Sequence, residues 1–361
     1  MSSINSIFKK IYFTLVKLIF DLIYGKLYPI QNNIFKNIKL IKVKINEKST
    51  KEYEIYEINK ARVYSDLSQN VAFIKDKEIY EKLSIQLEDN TLVDVNKNKI
   101  LKTGTRKFIQ KKIYGNVLSL VQGIPGIENY GHWLLDIIPK LIISKKYKEL
   151  RIFDAILAPN INKEFQKTTF TYFNIPNEKL IDGSKIRHLY ADKFTIPAHP
   201  YWKLNRHQLV TVANVDKNIL LEIQKIFLHK NNSDTKNFKK IFIDRSDSKF
   251  RHNKLSNNQA VCAHLKNLGF EVVQLTKLSF EEQIKIFNNA QVIVGNHGAG
   301  LTNIIFCKAS TQVIEIESPN FKCDVFRNIS NLLNLNYKKV KANLDPINKE
   351  EITIDLKNLD F

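Results

Sequence analysis

The chain has 361 residues, 43% of them hydrophobic, which is enough to fill the cores of two ordinary domains and excludes a disordered protein. Its three cysteines are scattered and form no Cys-x-x-Cys pair, which argues against a disulfide framework or a zinc site and for a reducing compartment. The formal net charge of +20 predicts attraction to anionic partners, although a lysine-rich composition without any polyanionic partner explains it equally well.

The first predicted element is an amphipathic helix over residues 7–27. Its polar residues recur at steps of three and four and so share one stripe of an otherwise apolar surface. They are Lys10, Thr14, Lys17 and Asp21. The charges interrupt the apolar run that a spanning helix needs, and no cleavage site of small residues marks a signal peptide. We expect a helix lying in the plane of an anionic membrane, and the alternative is a helix packed on the protein's own core. The lysines expected near the headgroups are Lys9, Lys10, Lys17 and Lys26.

Residues 37–122 contain short apolar or alternating runs without a recognisable motif. They predict strands at residues 38–45, 53–63, 71–74 and 117–121.

His132 and Asp136 stand in the stretch Asn129-Tyr-Gly-His-Trp-Leu-Leu-Asp136, after a Gly/Pro loop at residues 123–126. A helix starting near Asn129 would place them four residues apart on one face, where a base and its orienting partner belong. The alternative is a histidine hydrogen-bonded in the core and a carboxylate that merely satisfies the helix. Pro139 would kink or end this helix.

The second half of the chain alternates strand and helix patterns. The expected strands are residues 153–158, 194–196, 240–243, 271–275, 292–294 and 312–316, and the expected helices are 163–172, 215–228, 257–268, 280–289 and 299–306. From residue 239 onward this rhythm predicts a doubly wound parallel sheet, whose ligands bind at the carboxyl ends of the strands. Three polar groups fall there: Arg245 with Arg251, Asn296 with His297, and residues 315–317.

The glycine-rich turn Gly295-Asn-His-Gly-Ala-Gly300 joins a strand to a helix start, which offers backbone N–H groups and a positive dipole end to an anion. It is neither a dinucleotide fingerprint nor a Walker loop. The chain contains no Asp-x-Asp pair. We therefore expect a nucleoside diphosphate neutralised by arginine and the helix N-terminus, with a glutamate on the ribose hydroxyls, and no metal.

Five segments that occur in order over residues 123–317 resemble glycosyltransferase family 61. They are Asn129 to Asp136, Asp244-Arg245 with Arg251 and Leu255-Ser-Asn257, Leu278-Ser-Phe-Glu-Glu-Gln283, His297-Gly-Ala-Gly-Leu-Thr-Asn303, and Val313-Ile-Glu315. The resemblance implies an α/β, GT-B-like fold with two Rossmann-like domains facing a cleft. It also implies metal-independent, inverting transfer from a nucleotide sugar, with no cofactor, to a glycan or lipid-linked glycan acceptor. In bacterial members it implies capsular or other surface polysaccharide synthesis. Asn258 departs from the acidic residue that relatives often carry there.

The expected organisation combines the residue patterns with this resemblance, which does not extend to residues 1–120 or 320–361. Residues 1–30 form the membrane-associating helix, 31–215 the acceptor-side domain, 216–335 the nucleotide-sugar-binding domain and 336–361 a tail. Asp136 and His132 are the candidate catalytic residues, with Asp136 preferred as the base and His132 as a positioning group. The candidate donor-binding residues are Arg245, Arg251, Asn257, Gln283, Asn296, His297, Gly298, Ala299, Gly300, Thr302, Asn303 and Glu315. His297 would contact the donor, or else brace the turn.

Two rival functions compete with transfer: a basic nucleic-acid-binding protein and a membrane-associated scaffold without catalysis. Lysines spread along the chain without a binding motif argue against the first, so we expect no nucleic-acid partner. Arg245, His297 and Asp136 argue against the second. The expected location is the cytoplasm, peripheral on the inner face of the membrane.

Overall fold

The computed structural model describes residues 2–30, 38–65, 70–88, 91–105, 107–121, 129–201, 214–229, 240–248, 253–320 and 323–360. The chain divides into two compact units. The N-terminal unit contains residues 1–128 and 136–211, and the C-terminal unit contains residues 129–135 and 212–361. The short segment 129–135 was predicted to belong to the N-terminal domain, but it packs within the C-terminal unit.

The helices follow the predicted positions closely in the second half of the chain. They are α1 (Ser2–Tyr24), α2 (Lys99–Thr103), α3 (Tyr130–His132), α4 (Ile138–Tyr147), α5 (Glu164–Tyr172), α6 (Lys217–Leu228), α7 (Asn258–Asn267), α8 (Phe280–Asn289) and α9 (Val325–Leu332). A π-helical turn (Trp133–Ile137) joins α3 to α4, and 3-10 turns occur at Val95–Lys97, Leu150–Ile152, Asn177–Lys179, Leu275–Lys277, Ala299–Phe306 and Leu356–Leu359. Side-chain hydrogen bonds explain where α8 begins, because Ser279 and Glu282 form a capping box there.

The N-terminal unit is built on one mixed sheet. Its strands are β1 (Tyr28–Ile30), β2 (Ile38–Lys44), β3 (Glu52–Ser65), β4 (Val71–Lys75), β5 (Glu78–Tyr80), β8 (Lys111–Ser119), β9 (Ala155–Ala158), β10 (Leu180–Asp182) and β11 (His188–Pro197), and a separate small pair consists of β6 (Leu87–Glu88) and β7 (Thr91–Leu92). The order is β1-β5-β4-β3-β11-β8-β9-β10, with β2 also on β3. Strands β11, β8, β9 and β10 pair in parallel, whereas β3 pairs antiparallel with β2, β4 and β11. The predicted strands near residues 38, 53, 71 and 117 are confirmed, but only part of this sheet has the parallel pairing of a Rossmann-like domain.

Helix α1 has a docked face and an apolar solvent-facing face. Phe20 is fully buried among Ala72, Ile74 and Ile79, while Leu22 is 87% exposed. The rings of Phe20 and Tyr24 also cover the buried guanidinium of Arg62, 5.7 and 4.1 Å from the ring centroids. The predicted polar stripe is present, and its Lys17 pairs with Asp21. The alternative hypothesis, in which the helix packs on the protein's own core, therefore holds for one face of α1. Membrane contact by the other face remains a prediction. No helix within the described residues is long and apolar enough to cross a bilayer.

The C-terminal unit is built on a parallel sheet with the order β13-β12-β14-β15-β16. Its strands are β12 (Lys240–Ile243), β13 (Glu271–Val273), β14 (Val292–Asn296), β15 (Gln312–Glu317) and β16 (Asn336–Lys341), followed by the antiparallel pair β17 (Asn343–Leu344) and β18 (Ile352–Thr353). Every pairing in the five-stranded sheet is parallel, which confirms the predicted parallel sheet. Residues 336–360 do not form the expected separate tail. Strand β16 extends the sheet, and Ile352 and Leu359 are buried in the core of the unit.

Candidate active site

The carboxyl edge of the C-terminal sheet brings the predicted polar groups together. Ile243, Gly295 and Glu315 lie side by side across β12, β14 and β15. Strand β12 ends at Ile243 and β14 ends one residue beyond Gly295, so Asp244 and His297 leave the sheet at nearly one level. Parallel pairing thus places three stretches that are distant in sequence at one edge of the sheet, as the alternation of strands and helices predicted.

Arg245 lies against the glycine turn. Its Nη1 donates a hydrogen bond to the carbonyl oxygen of His297 at 2.5 Å. A Cβ atom on Gly298 would stand 2.4 Å from this nitrogen, so the guanidinium occupies the space of a missing side chain. Burial lowers the pKa of Arg245, and the nearby Asp247 carboxylate opposes that shift. Arginine stays protonated at neutral pH, so the turn carries a largely buried positive charge.

Asp244 fixes the turn that presents Arg245. Its carboxylate accepts hydrogen bonds from Ser246, from Gln274 Nε2 at 2.8 Å and from Asn258 Nδ2 at 2.9 Å. Burial raises the pKa of Asp244, but these hydrogen bonds outweigh burial and hold it below its ordinary value. The contact explains the departure at position 258. An amide there donates to Asp244, whereas an acidic side chain would repel it.

His297 is held by Glu315 and by its own backbone. Its Nδ1 lies 2.5 Å from Glu315 Oε1, and its N–H donates to the Ile316 carbonyl at 3.2 Å. Glu315 is only 1% exposed, and its Oε2 accepts a hydrogen bond from the hydroxyl of Tyr337. Both carboxylate oxygens therefore have partners within the protein. This arrangement argues against the expected contact of Glu315 with ribose hydroxyls.

Asn303 and Gln283 form a buried network behind the turn. Asn303 Nδ2 donates to Gln283 Oε1 and to the Gly300 carbonyl, both at 3.0 Å, and its Oδ1 accepts from the Tyr130 hydroxyl at 2.5 Å. Gln283 Nε2 donates to the carbonyls of Leu275 and Leu278. Thr302 is buried beside this network. These side chains hold the turn in shape, which is a different role from the direct donor contact that was expected.

The remaining predicted donor-binding residues are Asn257, Asn296, Ala299, Gly300 and Arg251. Asn257 Nδ2 donates to the Ile354 carbonyl at 2.8 Å and its Oδ1 accepts the Ile354 N–H at 3.3 Å, so Asn257 secures the end of the chain. Asn296 Nδ2 donates to the Asn253 carbonyl at 2.8 Å, while its buried Oδ1 has no hydrogen-bond partner among the described residues. Ala299 and Gly300 begin the 3-10 turn that follows the glycines. Arg251 lies outside the described residues.

Residues 129–135 bring His132 onto the C-terminal unit. Asn129 caps α3 by accepting from the N–H groups of Gly131 and His132, at 2.9 and 3.3 Å. Gly131 passes so close to the turn that an added Cβ would stand 2.9 Å from Thr302 Oγ1. His132 is half-buried. The segment thus shares one compact unit with Arg245.

Asp136 follows His132 across an irregular part of the helix. The two residues are joined by the π-helical turn Trp133–Ile137, whose i to i+5 hydrogen bonds shift the positions that stack. Asp136 moreover belongs to the N-terminal unit and has no exposed surface. The predicted pairing of this imidazole with this carboxylate stays a prediction.

His199 is a partner of Asp136 that the sequence pattern did not predict. Because the Tyr201 N–H donates to His199 Nδ1 at 3.2 Å, the neutral ring carries its hydrogen on Nε2 and donates it to Asp136 Oδ1 at 3.1 Å. Lys140 lies close enough to interact electrostatically, and its Nζ donates to the Leu120 carbonyl at 3.1 Å. One signal was available in the sequence, because His199 follows the carboxyl end of β11, which pairs in parallel with β8.

Lys140 should make the stability of the protein depend on pH. Burial lowers its pKa to about 7, although the Asp136 charge opposes the shift, while an unfolded lysine keeps a pKa of about 10.4. Between these values the unfolded chain binds more protons, so the free energy of unfolding should rise with pH, by up to about 1.4 kcal/mol per pH unit.

Lys140→Met should flatten this rise in chemical denaturation measured from pH 7 to 10, and Lys145→Met, on the exposed side of the same helix, should leave it as in the parent. An identical pH dependence in the Lys140→Met variant and the parent would contradict the assignment.

In the part of the chain that the structure describes, no group of three or more His, Cys, Asp and Glu side chains is arranged to hold a metal ion. Independence from metals stays a prediction.

Comparison with known proteins finds similarity in the part of the chain that contains this edge. The beta-1,2-xylosyltransferase of Arabidopsis thaliana matches a short stretch of the chain, with 36% identity over 75 residues that cover 20% of this chain and 14% of the relative. The sequence profile of Glycosyltransferase 61 matches residues 130–314, just over half of the chain. The matched region begins at the α3 segment and includes Arg245, the glycine turn and its buried network. The chain belongs to glycosyltransferase family 61.

Proposed function

We propose that the protein is an inverting, metal-independent glycosyltransferase with a nucleotide-sugar donor. Family membership supports transfer of a sugar. The observation that carries the donor assignment is Arg245, which lies against Gly298 at the carboxyl edge of a parallel sheet, beside a helix start. The GT-B arrangement is part of this proposal. The parallel sheet of the C-terminal unit supports it, whereas the N-terminal unit mixes parallel and antiparallel pairing.

The donor diphosphate would bind between Arg245 and the turn that begins at Ala299. The first N–H groups of a helix have no partner within it and carry partial positive charge. Together with a guanidinium they supply the charge that a divalent cation supplies in other transferases. This charge stabilises the nucleoside diphosphate as the bond to the sugar breaks. Gly298 permits the approach because it has no side chain beside Arg245.

Arg245→Gln should weaken binding of a nucleoside diphosphate by about 10- to 100-fold, because a hydrogen bond to a charged group contributes about 1.5–3 kcal/mol. Calorimetric titration with UDP, GDP, ADP and CDP would identify the nucleotide and then measure the loss. Lys266→Gln removes one exposed charge from the same unit and should leave the affinity unchanged. Failure of the parent protein to bind any of the four, or equal affinity in the Arg245→Gln variant, would contradict the donor site.

His132 is the better candidate for the base. Asp136 has no exposed surface and already accepts a hydrogen bond from His199, so its carboxylate is poorly placed to take a proton from a substrate. His132 is partly exposed and belongs to the same unit as Arg245. We propose that His132 removes the proton from an acceptor hydroxyl, which then attacks the sugar from the face opposite the diphosphate and inverts the anomeric centre. Asp136 would instead stabilise the structure around it, through the hydrogen bond from His199 and the interaction of its charge with Lys140.

His132→Gln should lower the rate of transfer by about 10²- to 10⁴-fold, the usual contribution of a positioned base, with nucleotide affinity unchanged. Asp136→Asn should change the transfer rate by less than tenfold and lower thermal stability instead, because it leaves the buried Lys140 without its countercharge. Both are measured as release of nucleoside diphosphate from labelled nucleotide sugars in the presence of acceptor. The reverse pattern, with activity lost in Asp136→Asn and kept in His132→Gln, would restore Asp136 as the base.

The proposal also extends to the donor sugar and the acceptor. The relative's name makes nucleotide-activated xylose the first donor to test, although the match covers a small part of either chain. The acceptor would be a glycan or a lipid-linked glycan, in capsular or other surface polysaccharide synthesis.

Helix α1 offers a surface that fits an anionic membrane. Its exposed apolar residues recur at steps of three and four and form one stripe. They are Phe8, Ile11, Leu15, Leu18 and Leu22. At the helical period this stripe points away from the docked face of Phe20, and Lys10 and Lys17 lie along one border. Apolar insertion with lysines at headgroup level is the pattern of an in-plane membrane helix. We therefore propose peripheral attachment at the cytoplasmic face of the membrane.

Replacing both Leu18 and Leu22 by Glu should lower binding to phosphatidylcholine vesicles with one fifth phosphatidylglycerol by more than about tenfold, because each buried leucine contributes about 1.5–3 kcal/mol. Co-sedimentation measures the effect. Ile347→Glu, at another fully exposed apolar position, should bind as the parent does. If the double variant still sediments with vesicles, or instead only converts a dimer to a monomer in solution, the stripe does not face a membrane.

A further inference from the structure

Tyr337 lies on β16, beyond the matched region, yet it is connected to the glycine turn through Glu315. In the register of β15 and β16, Glu315 is paired with Lys339 and Tyr337 with Val313. Glu315 and Tyr337 are thus diagonal neighbours on one face of the sheet, close enough for their side chains to meet. The Tyr337 hydroxyl donates to Glu315 Oε2, while Oε1 faces His297 Nδ1 at 2.5 Å.

The chemistry of the three groups fixes the direction of both hydrogen bonds. Burial raises the pKa of Tyr337, and the hydrogen bond to Glu315 and its charge raise it further, so Tyr337 stays a phenol and donates. A carboxylate oxygen acts as the acceptor here, whereas the phenol and an imidazole N–H act as donors. The hydrogen between His297 and Glu315 therefore belongs to Nδ1 of the imidazole. In the neutral ring the lone pair then lies on Nε2.

The position of the His297 ring is also restricted by its neighbours. The Phe326 ring lies 4.9 Å from it, centroid to centroid, at an interplanar angle of 51°. The backbone of His297 bonds to Ile316 and to Arg245. Removing either partner of the carboxylate would leave a buried charge with one hydrogen bond fewer, so Tyr337 supports the ring through Glu315.

We propose that Glu315 and Tyr337 are positioning residues that set the tautomer and the orientation of His297 beside a nucleotide-sugar donor. The proposal rests on the proposed function for the identity of the ligand, but not for the tautomer itself. A carboxylate that holds the Nδ1 hydrogen in this way fixes both the tautomer and the orientation of the His297 ring at the glycine turn. Glu315 thereby acts on the donor without touching it.

The test compares the parent chain with Tyr337→Phe, Glu315→Met and, as control, Lys341→Gln, an exposed change on the same strand. Long-range ¹H–¹⁵N spectra of histidine-labelled protein report the tautomer, and His297→Gln identifies the His297 signals. The parent and Lys341→Gln should show the Nδ1–H form. Glu315→Met should lose it, because a thioether cannot accept the hydrogen as a carboxylate does, and Tyr337→Phe should shift the Nδ1 resonance.

Activity provides the second readout. Once a donor is identified, Tyr337→Phe should lower kcat by about tenfold, the usual effect of one hydrogen bond to a charged group, with affinity for the nucleoside diphosphate within about twofold of the parent. An unchanged Nδ1–H signal in Glu315→Met, or parent-like spectra and kcat in Tyr337→Phe, would overturn the proposal. The spectra decide the tautomer even if no nucleotide binds, so failure of the donor assignment and failure of this proposal are separate results.

Discussion

The candidate site depends on the parallel register of β12, β14 and β15. This register places Ile243, Gly295 and Glu315 at one level, so Arg245 and the glycine turn start from neighbouring points of one edge. A slip of one residue in β15 would turn Glu315 to the opposite face of the sheet and remove the partner of His297. The buried apolar residues on both faces of these strands oppose such a slip. The polar geometry of the edge is therefore a consequence of how the core packs.

The sequence predicted the C-terminal unit well, because its strands are mainly apolar runs separated by helices with recognisable starts. Strand β12 and helix α8 have the predicted bounds, and the three polar groups that follow the strands were identified from their positions alone. Local periodicity and capping determine these features, so a single sequence contains them.

What a residue contacts is set by tertiary packing, and there the predictions were weaker. Asn257, Gln283 and Asn303 were expected to bind the donor, yet they bond to Ile354, to backbone carbonyls and to Tyr130. A regular α-helix was expected to contain both His132 and Asp136, and a π-helical turn forms part of it instead. His199 is far from Asp136 in sequence, and no local pattern joins them. Polar residues shared by a family can therefore be braces of a site as well as its ligand contacts.

The division of the chain has a consequence for how the protein folds during synthesis. Residues 129–135 belong to the C-terminal unit but are flanked on both sides by residues of the N-terminal unit. They leave the ribosome before any other part of the unit that they complete, and Asn303, to which Tyr130 bonds, is added 173 residues after Tyr130. Contacts so far apart in sequence make folding slow, because the entropy of closing a long loop is lost before the contacts that offset this loss can form. The order of synthesis thus makes the segment that carries His132 one of the last to reach its native contacts.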